Sequence, residues 1–390
     1  MRRTLFLTSE FPPHVGGVSH FYFQLCRQLP SDEIIVLTGP DPKAAEFDAK
    51  QPFKIIRHSF LRPAAGGALG RSAATLRWLR LPALLKKLEP SLKFENIIVG
   101  QILPLGTVAF RYAKKTQTPY FIFAHGMDIL VPQAYPRKRF LLKTIIGSAS
   151  GYIANSHFTK HELQKIDAPA EKITVIQPGP NLERPQTHNF SEQQLRQKFK
   201  LPDGPILLSV GRLVKRKGHD KVLEALPLVA VSVPDVVYVI AGAGPMLPAL
   251  KQLAKKFNVE KHVYFLTAQN DEALAELYEL CQVFVLPARQ LTNGDVEGYG
   301  IVYIEAALFG KPSLAGKVGG ATEAVLDQQT GLLVNPENPS AIAQAAIQLL
   351  TNPALRERLG TQAMDYASHL PSWRTKAQQL NEALRKYVEN

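Results

Sequence analysis

Long hydrophobic runs, low-complexity segments and cysteine patterns are missing from this sequence. No stretch approaches the roughly 18 apolar residues of a membrane-spanning helix. The basic start MRRTLFLTSEFPP holds an apolar run of only Leu5, Phe6 and Leu7, which is too short for a signal peptide and predicts a buried first strand. The two cysteines, Cys26 and Cys281, lie far apart in apolar surroundings, so we expect buried reduced thiols. These absences predict a cytoplasmic protein.

Signatures of metal, dinucleotide and nucleic-acid binding are also missing. No DxD-type pair of acids is placed to hold a divalent ion against a diphosphate. The glycine pairs Gly16–Gly17 and Gly242/Gly244 do not form a GxGxxG fingerprint. Basic residues are not interleaved with aromatic ones as in a nucleic-acid module. We therefore expect no metal, no cofactor and no nucleic-acid partner.

Acidic residues are outnumbered in the first half of the chain. The net charge is +13, and residues 1–185 carry 25 Lys and Arg but only 13 Asp and Glu. A basic surface of this kind favours an anionic partner, such as acidic lipid headgroups or an acidic polymer. A basic soluble surface without a partner is the alternative.

Short apolar runs alternate with segments of helical period in both halves of the chain. This alternation predicts parallel α/β units with helices on both faces of doubly wound sheets. Because 390 residues are too many for one ordinary hydrophobic core, we expect two Rossmann-like domains. The predicted strands are Thr4–Thr8, Glu33–Leu37, Lys54–Arg57, Asn96–Val99, Tyr120–Ala124, Gly151–Ala154, Ile173–Ile176, Pro205–Val210, Val236–Ala241, His262–Phe265, Val283–Pro287, Pro312–Ala315 and Gly331–Val334.

A linker separates the two predicted domains. Residues 177–190, QPGPNLERPQTHNF, are rich in proline and polar residues. We therefore expect one domain over residues 1–183 and a second over residues 184–371. Folds of this class bind ligands beyond the carboxyl ends of their strands and in clefts at domain interfaces, so the sequence predicts an interdomain cleft.

The clearest functional pattern is a basic loop that directly follows a strand. The apolar run Pro205–Val210 ends in Gly211, a loop then carries four cations, and a helix begins near His219. A glycine turn, cations and a helix N-terminus together form an anion site, and Arg can bind diphosphate oxygens in a bidentate way. A charged surface turn is the alternative for the loop taken alone. The four cations are Arg212, Lys215, Arg216 and Lys217.

The second pattern is a glycine-rich loop that carries one acid and precedes another. In DVEGYGIVYIEAALFG, residues 295–310, Glu297 lies in the loop and Glu305 lies about one turn into the following helix. Backbone N–H groups of the loop and of the helix N-terminus can bind phosphate, while the carboxylates accept hydrogen bonds from hydroxyls. A lone helical glutamate is more often solvated, but the position after the strand ending in LPAR and downstream of the basic loop strengthens the functional reading.

Six motifs together resemble a known family. They are FPPHVGGVSHF near the N-terminus, HGMD at 125–128, ANSHFTK at 154–160, GRLVKRKG, AGAGP at 241–245 and EGYGIVYIEAALFGKP. Over essentially its full length the chain is similar to the retaining glycosyltransferases of the GT-B fold, which include sucrose synthase and the phosphatidylinositol mannosyltransferases. The segment PARQLTNGDVEGYGIVYIEA particularly resembles the actinobacterial phosphatidylinositol mannosyltransferases, which use GDP-mannose and lipid acceptors.

The resemblance implies a donor-binding role for several residues of the second domain. Arg212 and Lys217 would bind the donor diphosphate. Glu297 would hold a hydroxyl of the donor sugar and act in catalysis, and Glu305 would hold the ribose. Backbone amides would bind the phosphate and the sugar at Gly300, Ile301 and Val302.

For the first domain the resemblance implies acceptor binding and three further site residues. Gly16 and Gly17 would form a loop that approaches the donor diphosphate, although a plain helix-start turn is the alternative. His125 would stand beside the reacting sugar carbon as a catalytic residue, with a structural histidine as the alternative. Asp128 would support that loop rather than react. The final helix, about residues 372–390, would pack back onto this domain.

The function that the resemblance implies is a retaining hexosyltransferase that needs no metal. It would move a sugar, first choice mannose from GDP-mannose, to a hydroxyl of a lipid-linked or glycan acceptor. A UDP-sugar-dependent transferase and a non-catalytic nucleotide-sugar-binding paralogue are the alternatives. Such non-catalytic paralogues often lose an acid or a cation of the motifs. This sequence retains all of the motif residues, namely His125, Arg212, Lys217, Glu297 and Glu305. A nucleotide-sugar 2-epimerase would have no need of the basic first domain.

Two basic segments favour contact with an anionic membrane surface. Residues 58–87, HSFLRPAAGGALGRSAATLRWLRLPALLKK, read as a Gly/Ala-rich break followed by a basic amphipathic helix near Leu76–Leu88. PRKR at residues 136–139 adds a second cluster. We expect peripheral association with the cytoplasmic face of the cell membrane. A core-facing helix with cations that extend to solvent is the alternative for the first segment.

Overall fold

The computed structural model describes residues 2–61, 67–180, 182, 190–267 and 269–387, with the backbone alone for 67–77. The chain divides into two compact units. Unit 1 comprises Met1–Gly179 with Pro371–Asn390, and unit 2 comprises Pro180–Leu370. Each unit is a parallel sheet with helices between its strands, so the predicted pair of Rossmann-like α/β domains is confirmed.

The sheet of unit 1 has seven parallel strands in the order β3-β2-β1-β4-β5-β6-β7. Because β1 lies between β2 and β4, the strand order reverses there, and ligands of such sheets bind at this point beyond the carboxyl ends. The strands are β1 (Thr4–Leu7), β2 (Ile34–Thr38), β3 (Lys54–Arg57), β4 (Asn96–Val99), β5 (Tyr120–Ala124), β6 (Gly151–Ala154) and β7 (Ile173–Val175). The helices before the linker are α1 (Gly17–Gln28), α2 (Ala44–Ala49), α3 (Gly67–Leu92), α4 (Thr107–Thr116), α5 (Met127–Gln133), α6 (Pro136–Gly147) and α7 (His157–Gln164).

The sheet of unit 2 has six parallel strands in the order β10-β9-β8-β11-β12-β13. Here the order reverses between β8 and β11, so the loops that follow these two strands share one edge of the sheet. The strands are β8 (Ile206–Val210), β9 (Val237–Ala241), β10 (Val263–Leu266), β11 (Val283–Leu286), β12 (Ser313–Gly316) and β13 (Gly331–Val334). The helices are α8 (Glu192–Phe199), α9 (His219–Ser232), α10 (Leu247–Lys256), α11 (Asp271–Leu280), α12 (Ile301–Leu308), α13 (Ala321–Ala324), α14 (Pro339–Thr351) and α15 (Pro353–Ser368).

The last helix of the chain, α16 (Trp373–Lys386), belongs to unit 1. It packs against α1, and the ring of Trp373 lies 5.8 Å from the ring of Phe21. Leu380 and Leu384 are buried in the same core cluster as strand residues of the sheet. The chain therefore returns to unit 1 after completing unit 2.

All thirteen predicted strands are present among the described residues, with ends that move by a residue at most. Parallel strands covered on both faces form continuous apolar runs, and β1, β2, β5 and β8 are buried throughout. Cys26 and Cys281 are buried free thiols, as expected. Ser156, in the motif ANSHFTK, accepts a hydrogen bond from the Thr159 amide and so caps the start of α7.

Four helices were not predicted, and one prediction was wrong. The segments of helical period in the sequence predict α1, α3, α4, α6, α7, α9 to α14 and α16, but not α2, α5, α8 or α15. The expected Gly/Ala-rich break before Leu76 is instead part of α3, which begins at Gly67; residues 62–66 lie outside the described part. In the described part of α3, Leu81 and Leu85 are fully buried in the core. This face therefore follows the core-facing alternative. No helix of the described residues is long and apolar enough to cross a membrane.

Candidate functional site

The basic loop of unit 2 begins where β8 ends. Gly211 has a φ of 136°, which only glycine adopts readily, and residues 215–217 form one 3₁₀ turn. Gly218 (φ 77°) precedes α9, and a Cβ there would lie 2.2 Å from the Pro287 carbonyl oxygen. The loop is thus held against the end of β11, and its two glycines cannot be exchanged without strain.

A cluster of four charged side chains joins this loop to the acidic loop after β11. Lys217 Nζ lies 2.6 Å from Glu297 Oε2, and Arg216 Nη1 lies 2.8 Å from the same oxygen. Arg216 Nε also lies 3.1 Å from Asp295 Oδ1. We call Arg216, Lys217, Asp295 and Glu297 the charge cluster. The structure therefore brings Lys217 and Glu297, two predicted site residues, into direct contact.

The two cations of the charge cluster are buried and its two acids are partly buried, and the electrostatics of the cluster favour an ionised Glu297. Burial alone would raise the pKa of Glu297, but Lys217 and Arg216 outweigh burial and lower it to about 2. Burial and the charge of Arg216 lower the pKa of Lys217, whereas Glu297 opposes that shift. Because two cations face two acids, the cluster is balanced by itself. Arg212 is exposed beside it and adds a positive charge that also acts on Lys217.

The glycine-rich loop after Glu297 is fixed from several sides. Gly300 has a φ of 92° and precedes α12, and a Cβ there would lie 2.4 Å from the ring of Tyr303. The Gly320 amide donates to the Glu297 carbonyl at 3.0 Å. The first amides of α12, at Ile301 and Val302, have no partner four residues earlier in their own helix, so the helix N-terminus can accept an anion.

The side chain of Glu305, about one turn into α12, is more buried than the sequence alone indicates. Its side chain is buried, and it accepts a hydrogen bond from Tyr278 on α11 at 3.1 Å. Glu305 thus contacts a neutral phenol, whereas Glu297 contacts the cations Arg216 and Lys217. The solvated-helix alternative for Glu305 is therefore wrong, while its ribose-binding role remains a prediction.

Gly16 and Gly17 lie at the start of α1 in unit 1. Gly17 is the first helical residue, and Gly16 precedes it in an extended conformation with a φ of 172°. A Cβ on Gly16 would have none of the described atoms within 4 Å. The fold therefore accepts a side chain at Gly16, and any need for glycine there must come from a ligand.

His125 follows β5 at the carboxyl edge of the unit 1 sheet. Its ring stacks on Phe123 at 5.6 Å, and its Nε2 lies 2.5 Å from the hydroxyl of Tyr22. Burial lowers the pKa of His125 to about 3, so the ring is neutral at physiological pH. Asp128 accepts a hydrogen bond from the His125 amide at 2.9 Å, which is the supporting contact predicted for it.

Three residues of these sites were not predicted as site residues. Arg216 was visible as one of four loop cations, but no local signal distinguishes it from the exposed Lys215. Asp295 lies two residues before Glu297 in the motif, so the spacing offered a hint. Tyr22 had no sequence signal beyond its place on the apolar face of α1. Within the described residues no group of three or more His, Cys, Asp or Glu could hold a metal ion.

Two sequence families match the two parts of the chain. The family described as "Glycosyltransferase Family 4" matches residues 15–184, and the family described as "Glycosyl transferases group 1" matches residues 191–365. The GDP-mannose-dependent alpha-(1-6)-phosphatidylinositol monomannoside mannosyltransferase of Mycolicibacterium smegmatis is 28% identical, covering 97% of each chain. The GDP-mannose-dependent monoacylated alpha-(1-6)-phosphatidylinositol monomannoside mannosyltransferase of Corynebacterium glutamicum is 26% identical, covering 98% of each chain.

Solved structures of the same fold cover the whole chain. Sucrose-phosphate synthase from Thermosynechococcus elongatus superposes with a TM-score of 0.82 at 22% identity, covering 100% of both chains. Anabaena HepE in complex with UDP and glucose gives a TM-score of 0.81 at 21% identity, covering 99% of this chain and 100% of that one. At these identities the likeness establishes the GT-B fold alone.

Proposed function

We propose, from the premise that this chain belongs to the group 1 glycosyltransferases, that it transfers mannose from GDP-mannose to a hydroxyl of a lipid-linked or glycan acceptor. The two mannosyltransferases of Mycolicibacterium smegmatis and Corynebacterium glutamicum, which match nearly the whole chain, carry GDP-mannose in their names, which supports this donor. The observation that carries the proposal is the contact of Lys217 with Glu297 at the carboxyl edge of the unit 2 sheet.

Unit 2 supplies the positive charge that a leaving diphosphate needs. As the bond between the sugar carbon and phosphate breaks, negative charge grows on the phosphate oxygen. Lys217, the exposed Arg212 and the first amides of α12 would stabilise that charge, so we propose transfer without a metal ion. Glu297, held ionised by its cations, would accept a hydrogen bond from a sugar hydroxyl.

We also propose that the sugar keeps its anomeric configuration. The acceptor oxygen would attack the sugar carbon from the face that the leaving phosphate occupies. The new carbon–oxygen bond forms as the old one breaks, and the acceptor proton passes to the departing phosphate oxygen. Neutral His125 would contact the sugar without adding a positive charge beside the developing cation.

A panel of nucleotide sugars tests the donor. We expect GDP-mannose to raise the melting temperature more than GDP-glucose, UDP-glucose or ADP-glucose at equal concentration. A ligand at 100 times its Kd stabilises the native state by about 2.7 kcal/mol. The panel is measured by thermal shift and repeated with turnover to a glycolipid acceptor, whose product is checked by NMR for anomeric configuration.

The panel separates the alternatives. A larger shift with a UDP-sugar would replace the donor assignment with the UDP-sugar alternative. A shift with GDP-mannose but no turnover on any hydroxyl acceptor would favour a non-catalytic paralogue. An inverted product would contradict the same-face step.

We further propose that unit 1 binds an anionic bilayer through α6. Phe140 is 76% exposed and Tyr135 is 50% exposed, which is unusual for large apolar side chains. Three exposed cations lie between them in sequence, and Lys138 Nζ sits 4.5 Å from the centre of the Tyr135 ring. Aromatic side chains flanked by cations suit the headgroup region of an anionic membrane. The three cations are Arg137, Lys138 and Arg139.

Vesicle sedimentation tests this surface. We expect the protein to pellet with vesicles that contain phosphatidylserine and to stay in solution with phosphatidylcholine alone. Changing Arg137, Lys138 and Arg139 together to Gln is expected to weaken the free energy of vesicle binding by about 3 kcal/mol at most, since each cation contributes about 1 kcal/mol at low salt. The matched control is Gln at Lys251, Lys255 and Lys256, three exposed cations on α10.

The α10 control variant shows whether vesicle binding depends on the cations of α6 or only on the net positive charge of the protein. Equal loss of binding in both triple variants would attribute attraction to net charge and contradict a role for α6. Absence of pelleting at every salt concentration would end the membrane proposal without affecting the donor assignment.

A further inference from the structure

Tyr22 connects the ends of two neighbouring strands of unit 1. It lies on α1 and is fully buried. Its hydroxyl forms a short hydrogen bond with the carbonyl oxygen of Gly100, the residue that follows β4. The same hydroxyl lies 2.5 Å from Nε2 of His125, the residue that follows β5. One phenol oxygen therefore meets two partners at the edge where the proposed catalytic histidine stands.

The protons available at this junction fix the direction of both hydrogen bonds. A phenol carries one proton, and a carbonyl oxygen can only accept. Two oxygens at hydrogen-bonding distance without a proton between them would repel, so the Tyr22 proton points to Gly100. The phenol oxygen must then accept from His125, which places a proton on Nε2 of the imidazole.

We propose that Tyr22 is a positioning residue that holds His125 in the neutral Nε2–H tautomer, leaving Nδ1 as a hydrogen-bond acceptor. The proposal rests on the proposed role of His125 at the reacting sugar. A ligand atom that meets Nδ1 must then be a donor, which in a sugar is a hydroxyl rather than a phosphate oxygen or a ring oxygen.

The surroundings keep both groups in these protonation states. Burial lowers the pKa of His125 to about 3 and raises the pKa of Tyr22 well above 10, so neither changes charge near neutral pH. The imidazole also stacks on the ring of Phe123 and meets the ring of Phe21 at nearly a right angle. Its ring plane is therefore set by packing, and the Tyr22 hydrogen bond selects the tautomer.

Gly100 shows that the phenol position is sterically specified. A Cβ on Gly100 would lie 2.9 Å from Cε2 of Tyr22 and 2.8 Å from Oγ1 of Thr8. Any side chain there would displace the Tyr22 ring. Gly100 is thus the second residue on which the geometry of His125 depends, although it is not expected to touch the substrate itself.

Tyr22→Phe tests the proposal by two readouts. We expect the imidazole ¹⁵N spectrum of the wild type to show a protonated Nε2 and an unprotonated Nδ1, and the variant to show a tautomer mixture. We expect kcat to fall about 10-fold with KM nearly unchanged, since an interaction in the transition state is lost. Gly100→Ala is expected to change the spectrum and kcat in the same direction.

Tyr152→Phe is the matched control. Tyr152 is buried in the same unit, and its hydroxyl also donates to a backbone carbonyl, that of Ile146. We expect it to lose a similar amount of thermal stability and to keep the His125 spectrum and kcat. A wild-type spectrum with a protonated Nδ1 would overturn the proposal. So would a Tyr22→Phe enzyme whose spectrum and kcat match those of the control.

The tautomer spectrum and kcat also separate a failure of the positioning role of Tyr22 from a failure of the proposed catalytic role of His125. If His125→Ala retains full kcat while Tyr22→Phe alters the tautomer, the proposed catalytic role of His125 fails and the positioning role fails with it. If His125→Ala loses activity and Tyr22→Phe leaves the tautomer intact, only the role of Tyr22 fails.

Discussion

Replacing Glu297 with glutamine is expected to lower kcat about 10²- to 10³-fold, the loss typical for removal of one preorganised electrostatic contact in an active site. Glutamine keeps the shape of the side chain but removes the charge that Lys217 and Arg216 contact at 2.6 and 2.8 Å. Two buried cations would then lose their shared anion. Lys217 would be reoriented, and the sugar hydroxyl would lose its acceptor. Steady-state kinetics with GDP-mannose measure the effect.

Glu276→Gln in the same unit is the control for Glu297→Gln. Glu276 is also a glutamate ion-paired with a lysine, with Lys198 Nζ at 2.6 Å, and its side chain is 12% exposed against 13% for Glu297. We expect this control to keep normal turnover. If Glu297→Gln stays within a factor of three of the wild type, the charge cluster has no part in transfer.

Much of the fold was predictable because local chemistry determines it. Buried parallel strands are uninterrupted apolar runs, so their positions could be read from the sequence alone. Two of the four missed helices, α8 and α15, begin at a capping side chain, Ser191 and Asn352, whereas α2 and α5 are short and have no side-chain cap. Asn352 ends α14 and caps α15, with Pro353 at its first position, so a residue pair that stops one helix also starts the next.

The candidate site was predictable in its residue types but not in its pairings. The sequence placed four cations near one strand end and two acids near another, and sheet topology brings these ends together. It could not show that Arg216 turns inward beside Lys217 while Lys215 stays exposed. That difference arises from the 3₁₀ turn and from the close approach of Gly218 to Pro287.

The contact of Tyr22 with His125 illustrates a second limit. The two residues are 103 positions apart, and neither belongs to a motif that contains the other. Their meeting depends on the adjacency of β4 and β5 and on the packing of α1 over those strands. Spacing along the chain carries no trace of such a contact, so only the assembled sheet reveals it.

Gly16→Ala is expected to lower kcat/KM about 100-fold, as a misplacement of roughly 1 Å at a reacting centre does, while leaving the fold intact. An added Cβ would meet none of the described atoms within 4 Å, and the φ of 172° suits any residue. The substitution removes a favourable N-cap glycine, which lowers the free energy of unfolding by about 0.5–1 kcal/mol. It also restricts the unfolded chain, which raises the free energy of unfolding by about the same amount. The melting temperature should therefore change little.

Gly147→Ala provides the comparison for Gly16→Ala. Gly147 ends α6, and a Cβ there also meets no described atom within 4 Å, so the added methyl group is equally tolerated by the fold. We expect normal kcat/KM in this variant. Normal kcat/KM in Gly16→Ala as well would make the glycine pair a plain helix start. Loss of activity at Gly16 without loss of stability would require a ligand in the open space beside it, because the described part of the chain leaves that space empty.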